Sequence, residues 1–265
     1  MDVLIVGEAT DSLSKAIVET FAQFGKEVAI LDVLSAAQLF TIEITSGKVS
    51  VTPDLPIILR IASPQLIRNN FDETFQYEEA LSTLWAVAAA CNSPVLNRPT
   101  PRTMWGEISH SSVLTQVRAD LTPDTQEIFS LYPPNLISDT PQKQWYLQDL
   151  GTYKTTEAKG IPLGNGPFRS RLSLANLAYE IVVVLADRAW RTTQVPLEHL
   201  ELEQQSISLL RRLNLNFGIV IWSINNDYTQ ASIARIETFP TFAQVELIWS
   251  ELALSLYEVL CLKST

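Results

Sequence analysis

Glycine is scarce in this chain, with nine residues among 265, where roughly 7% is usual. Loops that cradle phosphate use glycine because the backbone must come close to the anion. The only local cluster, Gly160, Gly164 and Gly166 in KGIPLGNGPF, matches no phosphate-loop spacing and reads as a surface turn. The turn Gly7-Glu8-Ala9-Thr10 also lacks the glycine pattern of a dinucleotide-binding fold. Two histidines, His110 and His199, are too few for a multi-histidine metal site, and neither sits in a motif of nucleophilic catalysis. Cys91 and Cys261 are far apart without metal-ligand spacing. Each follows an apolar run and is expected as a buried free thiol.

No apolar stretch approaches the roughly 20 residues that a membrane span needs, and no basic leader with a cleavage site opens the sequence. A cytoplasmic protein without a membrane partner is expected. The net charge of −10 argues against nucleic acid as a partner, since such binding needs cations to replace phosphate counterions. What the chain has is apolar material. At 46% hydrophobic and 18% charged it can bury a large core, as one compact unit or as closely packed lobes.

The order of elements begins as α/β. Val3–Val6 reads as a buried strand, and Asp11–Phe24 as a helix with Leu13, Ile17, Val18, Phe21 and Phe24 on one face, capped by Asp11 or Ser12. Gly25 ends it, and Glu27–Leu31 resumes as a strand, so a parallel sheet with a right-handed crossover is expected. Leu39–Val51 reads as a hairpin turning at Ser46-Gly47-Lys48, and Pro56–Ile61 as another buried strand. Arg60, near that strand's end, is placed to meet an acidic ligand or to pair with a carboxylate such as Glu78 or Glu79. A helix over Asp72–Ala90 and a short exit strand around Val95 lead to Pro99-Thr100-Pro101, where the first domain boundary is placed.

Residues 102–165 are the least legible, with a helix expected at Ser109–Asp120 and a strand at Trp145–Leu150. Beyond them, Leu172–Ala186 is strongly apolar and is followed by a hairpin turn at Asp187-Arg188. A helix over Leu197–Leu213 and a closing helix over Val245–Leu262, with Leu247, Ile248, Leu252 and Leu256 at helical spacing, frame the most informative stretch. That stretch, Asn214–Glu246, is laid out as a metal-binding hairpin with a Pro-closed loop.

Four segments resemble the ATP-grasp superfamily, and within it the peptide-modifying carboxylate–amine ligases. They are the N-terminal lobe from VLIVG to VLNRPT, the strand–turn–strand YEIVVVLADRAWR, the helix and strand LRRLNLNFGIVIW, and the ending ARIETFPTFAQVE. The resemblance implies an α/β protein. An N-terminal parallel-sheet lobe, residues 1–99, would precede a reduced ATP-grasp-like α+β region, residues 100–265, pared down in its central part.

The family's chemistry uses ATP with magnesium, a hard cation that wants near-octahedral oxygen ligands, to make an acyl phosphate that an amine captures. An acidic residue from one strand and a Glu-x-Asn pair from the next hold the metal. Carried over, the resemblance places the first acid on Val220, the Glu on Arg235 and the Asn on Glu237, with Pro240 kept. Asp227 sits in the intervening turn. Lys143, Lys154 and Lys159 lie in a segment without a clear strand pattern that would present them to phosphates, and the glycine-rich flap has no counterpart. Arg235 and Glu237, two apart on a strand, would share one face as an ion pair, or Arg235 would hold phosphate directly.

The leading expectation is therefore a non-catalytic ATP-grasp-like protein with no catalytic residue, no metal and no cofactor. The resemblance implies a homodimer or a heteromer with an active paralogue, and a peptide held in a groove near Arg60, Asn97 and Arg98. One alternative is an active ATP- and magnesium-dependent ligase with remodelled ligands, relying on Glu237. Another is a small-molecule module using the N-terminal lobe near Gly7, Asp32 and Arg60.

Overall fold

A computed structural model of the chain describes residues 1–61, 71–101, 104, 126–133, 135, 143–149, 155–157, 166–174, 178–193, 200–225 and 228–262. The expected helix at 109–120, both histidines, Lys154, Lys159, Gly160, Gly164 and Asp227 lie outside them.

The N-terminal lobe is a parallel sheet. β1 (Val3–Val6) lies between β2 (Val28–Leu31) and β5 (Ile57–Leu59), and β6 (Val95–Leu96) completes the order β2-β1-β5-β6. All four residues of β1 are fully buried, as a strand covered on both faces requires. α1 (Ser12–Gln23) turns Leu13, Ile17 and Phe21 inward. Asp11 caps it, its carboxylate accepting from the Ser14 amide at 2.8 Å. Gly25 follows at a φ of +70°, the left-handed conformation that ends helices.

A seven-residue helix, α2 (Val33–Leu39), capped by Asp32, precedes the hairpin of β3 (Thr41–Thr45) and β4 (Lys48–Thr52). The sequence did not suggest α2, because two turns are too short to display a helical period. α3 (Phe71–Ala90) covers the sheet with Ala80, Leu84, Val87 and Ala88.

Two antiparallel sheets follow. One has the order β7-β10-β8-β9, from β7 (Gln126–Ser130), β8 (Lys143–Asp149), β9 (Thr155–Glu157) and β10 (Phe168–Leu174). β8 is the strand expected at Trp145–Leu150, begun two residues earlier, so that Lys143 opens it. The other has the order β12-β11-β13-β14, from β11 (Ala178–Leu185), β12 (Arg188–Arg191), β13 (Phe217–Ile224) and β14 (Ala231–Glu237). The β11–β12 turn is Ala186-Asp187, one residue earlier than expected, with Ala186 at a φ of +56°. Tight two-residue hairpin turns need that sign of φ.

The last sheet is covered on both sides. α4 (Leu202–Arg212) packs Leu202, Leu209 and Leu210 against Val182, Val184, Val220 and Trp222. The Trp222 indole donates to Ser206 Oγ at 2.9 Å, which satisfies a polar group inside this contact. On the opposite face Val183, Leu185, Phe217 and Ile219 close on Val3, Ile5, Ile17 and Phe21 of the N-terminal lobe. The C-terminal segment joins that core with Leu252 and Leu256. It is not one helix: α5 (Phe242–Val245), a 3-10 turn at Glu246–Ile248, α6 (Trp249–Tyr257) and a π turn at Glu258–Leu262 follow one another. The break leaves Leu247 81% exposed, against the expectation that it faces the core.

Two polar joints fasten the lobes. At the first, Asn97 holds a φ of +55°, which asparagine tolerates better than most residues. Its Oδ1 accepts from the backbone amides of Asn216 at 3.0 Å and Phe217 at 2.9 Å, and its Nδ2 donates to the Phe217 carbonyl at 2.8 Å. Asn216 replies, its Oδ1 accepting from the Asn97 amide at 2.6 Å. At the second, Arg60 grips Asp11 with Nε at 2.7 Å and Nη2 at 2.9 Å, and Nη2 also donates to the Pro240 carbonyl at 3.0 Å.

Two outcomes are expected. Asn97→Gly keeps the backbone conformation but removes three hydrogen bonds, two of them to the buried Phe217, and should cost about 2–4 kcal/mol in urea unfolding. A loss within the few tenths typical of surface changes would show that the joint carries little. For Asp11, burial alone would raise the carboxyl, but hydrogen bonds from Arg60 and Ser14 and the guanidinium charge outweigh it and hold it below its ordinary value. A depressed carboxylate contributes stability above its unfolded value, and that contribution is lost as pH falls through the folded one. The melting temperature should therefore drop more steeply below about pH 4 in the native protein than in Asp11→Asn. Equal slopes would contradict the pairing.

Candidate functional site

The β13–β14 hairpin is built for close approach. β13 is an almost unbroken apolar run, FGIVIWSI, as suits a strand buried on both faces. Its end is closed by Asn225, whose amide donates to the Gln230 carbonyl at 3.1 Å and whose Oδ1 accepts from the Gln230 amide at 2.8 Å. Gly218 is required here: a Cβ on it would stand 2.8 Å from the Glu237 carbonyl oxygen.

Register decides which side chains meet. Glu237 lies opposite Ile219, Arg235 opposite Ile221, and Ile236 opposite Val220. Directly opposed residues share a face. Arg235 and Glu237 therefore lie on the face of Ile219 and Ile221, whereas Val220 is on the other face, fully buried against α4. This corrects the carry-over from sequence. Val220 cannot converge with Arg235 and Glu237 whatever its chemistry. The β13 positions able to do so are Ile219 and Ile221, which have no oxygen to offer. A slip of two residues makes Glu237 the Glu of the Glu-x-Asn pair and puts the Asn position on Phe239, directly before Pro240. No second acid is gained.

Glu237 has no free oxygen. Its Oε1 pairs with Arg235 Nε at 2.7 Å, and its Oε2 accepts from Gln244 Nε2 at 3.0 Å. The Gln244 side-chain Oε1 accepts in turn from the Thr241 amide at 2.8 Å, capping α5. A magnesium ion demands near-octahedral oxygen coordination. Among the described residues no three His, Cys, Asp or Glu side chains gather as such a site would need. The described residues of this hairpin do not fit a divalent cation.

Of the groove residues expected from sequence, Arg60 and Asn97 are buried and Arg98 is half-buried, and all three bond within the protein. Arg60 takes Asp11 and Pro240 as partners, not Glu78 or Glu79, because the end of β5 abuts the start of α1. Asn97 is the joint described above. Arg98 spreads over the C-terminal end of α3, with Nη1 at 2.9 Å from the Ala88 carbonyl and 2.8 Å from that of Cys91, and Nη2 at 2.8 Å from that of Ser93. A cation there satisfies carbonyls with no intrahelical partner and opposes the helix dipole. It also covers Cys91, a buried thiol whose pKa burial pushes up. Of the N-terminal alternative, Asp32 caps α2 and Gly7 lies against the Arg60 carbonyl.

Two arginines escaped the sequence reading. Arg169 and Arg171 share one face of β10, with guanidinium groups 5.9 Å from the Phe129 ring and 5.6 Å from the Tyr146 ring. Each ring lies on the neighbouring strand directly opposite its arginine. Arg171 Nη1 also donates to the Ile233 carbonyl at 3.2 Å, joining this sheet to β14. The alternation in FRSRL was the available signal for these residues.

No protein-family model and no curated protein sequence matches the chain. Solved structures do match. The macrocyclase MdnC from Microcystis aeruginosa MRC, bound with precursor peptide MdnA, gives a TM-score of 0.69 at 13% identity over 100% of both chains. The ATP-grasp ligase PsnB, complexed with minimal precursor, gives 0.71 at 14% identity over 98% of this chain and 99% of PsnB. A RimK domain ATP-grasp protein from Sphaerobacter thermophilus DSM 20745 gives 0.63 at 13% identity over 98% and 99%. Likeness over 98–100% of this chain, at TM-scores of 0.63 to 0.71, gives it the ATP-grasp fold.

Proposed function

We propose that this protein is a non-catalytic member of the ATP-grasp fold, an accessory subunit that binds a peptide or an active ligase partner and does not use Mg-ATP. One observation carries the reading. On the hairpin face where two strands would have to supply oxygen ligands, β13 offers Ile219 and Ile221, and the single acid of β14 is already bonded to Arg235 and Gln244. Phosphoryl transfer depends on metal ions that neutralise charge on the phosphates, and this face supplies a guanidinium where an acid is needed.

The peptide part is supported by the neighbours: MdnC and PsnB were both solved with precursor peptides. A scaffold that holds a peptide needs the fold's lobes fixed relative to each other, and the Asn97 and Arg60 joints do that without any metal. Calorimetric titration with Mg-ATP tests the reading. No binding tighter than about 100 µM is expected. Tighter binding, or ADP release on addition of a peptide, would overturn it.

A further inference from the structure

We infer that the guanidinium of Arg235 is a resident cation that has taken over the charge-balancing role of a divalent metal on this hairpin. Through Glu237 it also fixes the loop on which the Arg60 clamp closes. The inference rests on the reading that the hairpin is not a magnesium site.

Glu237 keeps only 16% of its side chain exposed and faces the isoleucines of β13. A carboxylate so placed has lost much of its water and takes protein donors in its stead. A doubly charged ion beside a single carboxylate would be left with an excess positive charge and too few oxygens. One guanidinium balances one carboxylate. Arg235 meets that condition at 2.7 Å, from the next position on the same face of β14.

The consequence reaches beyond the pair. With Oε1 held by Arg235, Glu237 presents Oε2 to Gln244, whose amide oxygen receives the Thr241 N–H. Thr241 follows Pro240, whose carbonyl accepts from Arg60, which in turn grips Asp11 at the start of α1. The bonds run without interruption from β14 to the N-terminal lobe.

Manganese, followed by the loss of its free-ion paramagnetic resonance signal, is the probe. The native protein and Glu237→Gln should leave the ion equally free up to about 1 mM, the weak end of specific affinity. Ile221→Asp/Arg235→Val places two carboxylates on one face and removes the resident cation, and should bind manganese at least tenfold more tightly. Should that pair fail to fold, Arg235→Glu, which leaves the core intact, makes the same test. Separately, Arg235→Met should speed hydrogen exchange of the Thr241 amide at least fivefold. Manganese binding by the native protein that is lost in Glu237→Gln would overturn the inference. So would no gain in any folded variant, or unchanged exchange at Thr241. Tight nucleotide binding by a native protein that ignores manganese would sink the functional proposal and leave this inference standing.

Discussion

Arg60 is buried where three segments meet, and the arrangement of the molecule depends on the partners that its Nε and Nη2 find there, Nη1 being buried without one among the described residues. A charged side chain with 6% exposure is tolerable only with a carboxylate and further acceptors close by. Asp11 supplies the carboxylate while capping α1, and Pro240 supplies a carbonyl from the far end of the chain. One side chain thus fixes the end of β5, the start of α1 and the loop after β14 against one another. Breaking it would leave a buried charge without its partner.

The Asn97 joint does related work with neutral groups. There the exit strand and the start of β13 exchange side-chain and backbone hydrogen bonds, so a residue near position 97 and one near position 217 are held in register. Around these two joints the hydrophobic core is shared between lobes. Phe217 and Ile219 belong to the same apolar cluster as Val3, Ile5 and Phe21. A core shared in this way gives little freedom for one lobe to swing on the other.

Much of the architecture was legible in the sequence. The parallel sheet and its capped first helix follow from short apolar runs separated by a helical period. The β3–β4 hairpin announces itself through Ser46-Gly47, and the last hairpin through two strands flanking a polar turn. What the sequence could not convey was pairing over distance. Nothing local distinguishes Asp11 from Glu78 as the partner of Arg60. Asn97 and Arg98 look like surface residues after a short strand until the start of β13 and the end of α3 are brought beside them. The hairpin error has the same origin. A motif carried over by order alone assigned Val220, and a one-residue shift on a strand moves a side chain to the opposite face. On the face shared with Arg235 and Glu237, the β13 positions Ile219 and Ile221 are as inert toward a cation as valine.

On the inference drawn above, positive charge on this hairpin comes from Arg235 and not from a metal ion. The most direct test of this is an anomalous difference map from crystals soaked with manganese and a non-hydrolysable ATP analogue. No anomalous peak is expected within coordination distance of Glu237, and the Arg235–Glu237 pair should be unchanged by the soak. An ion with octahedral oxygen ligands that include Glu237, with Arg235 swung away, would contradict it.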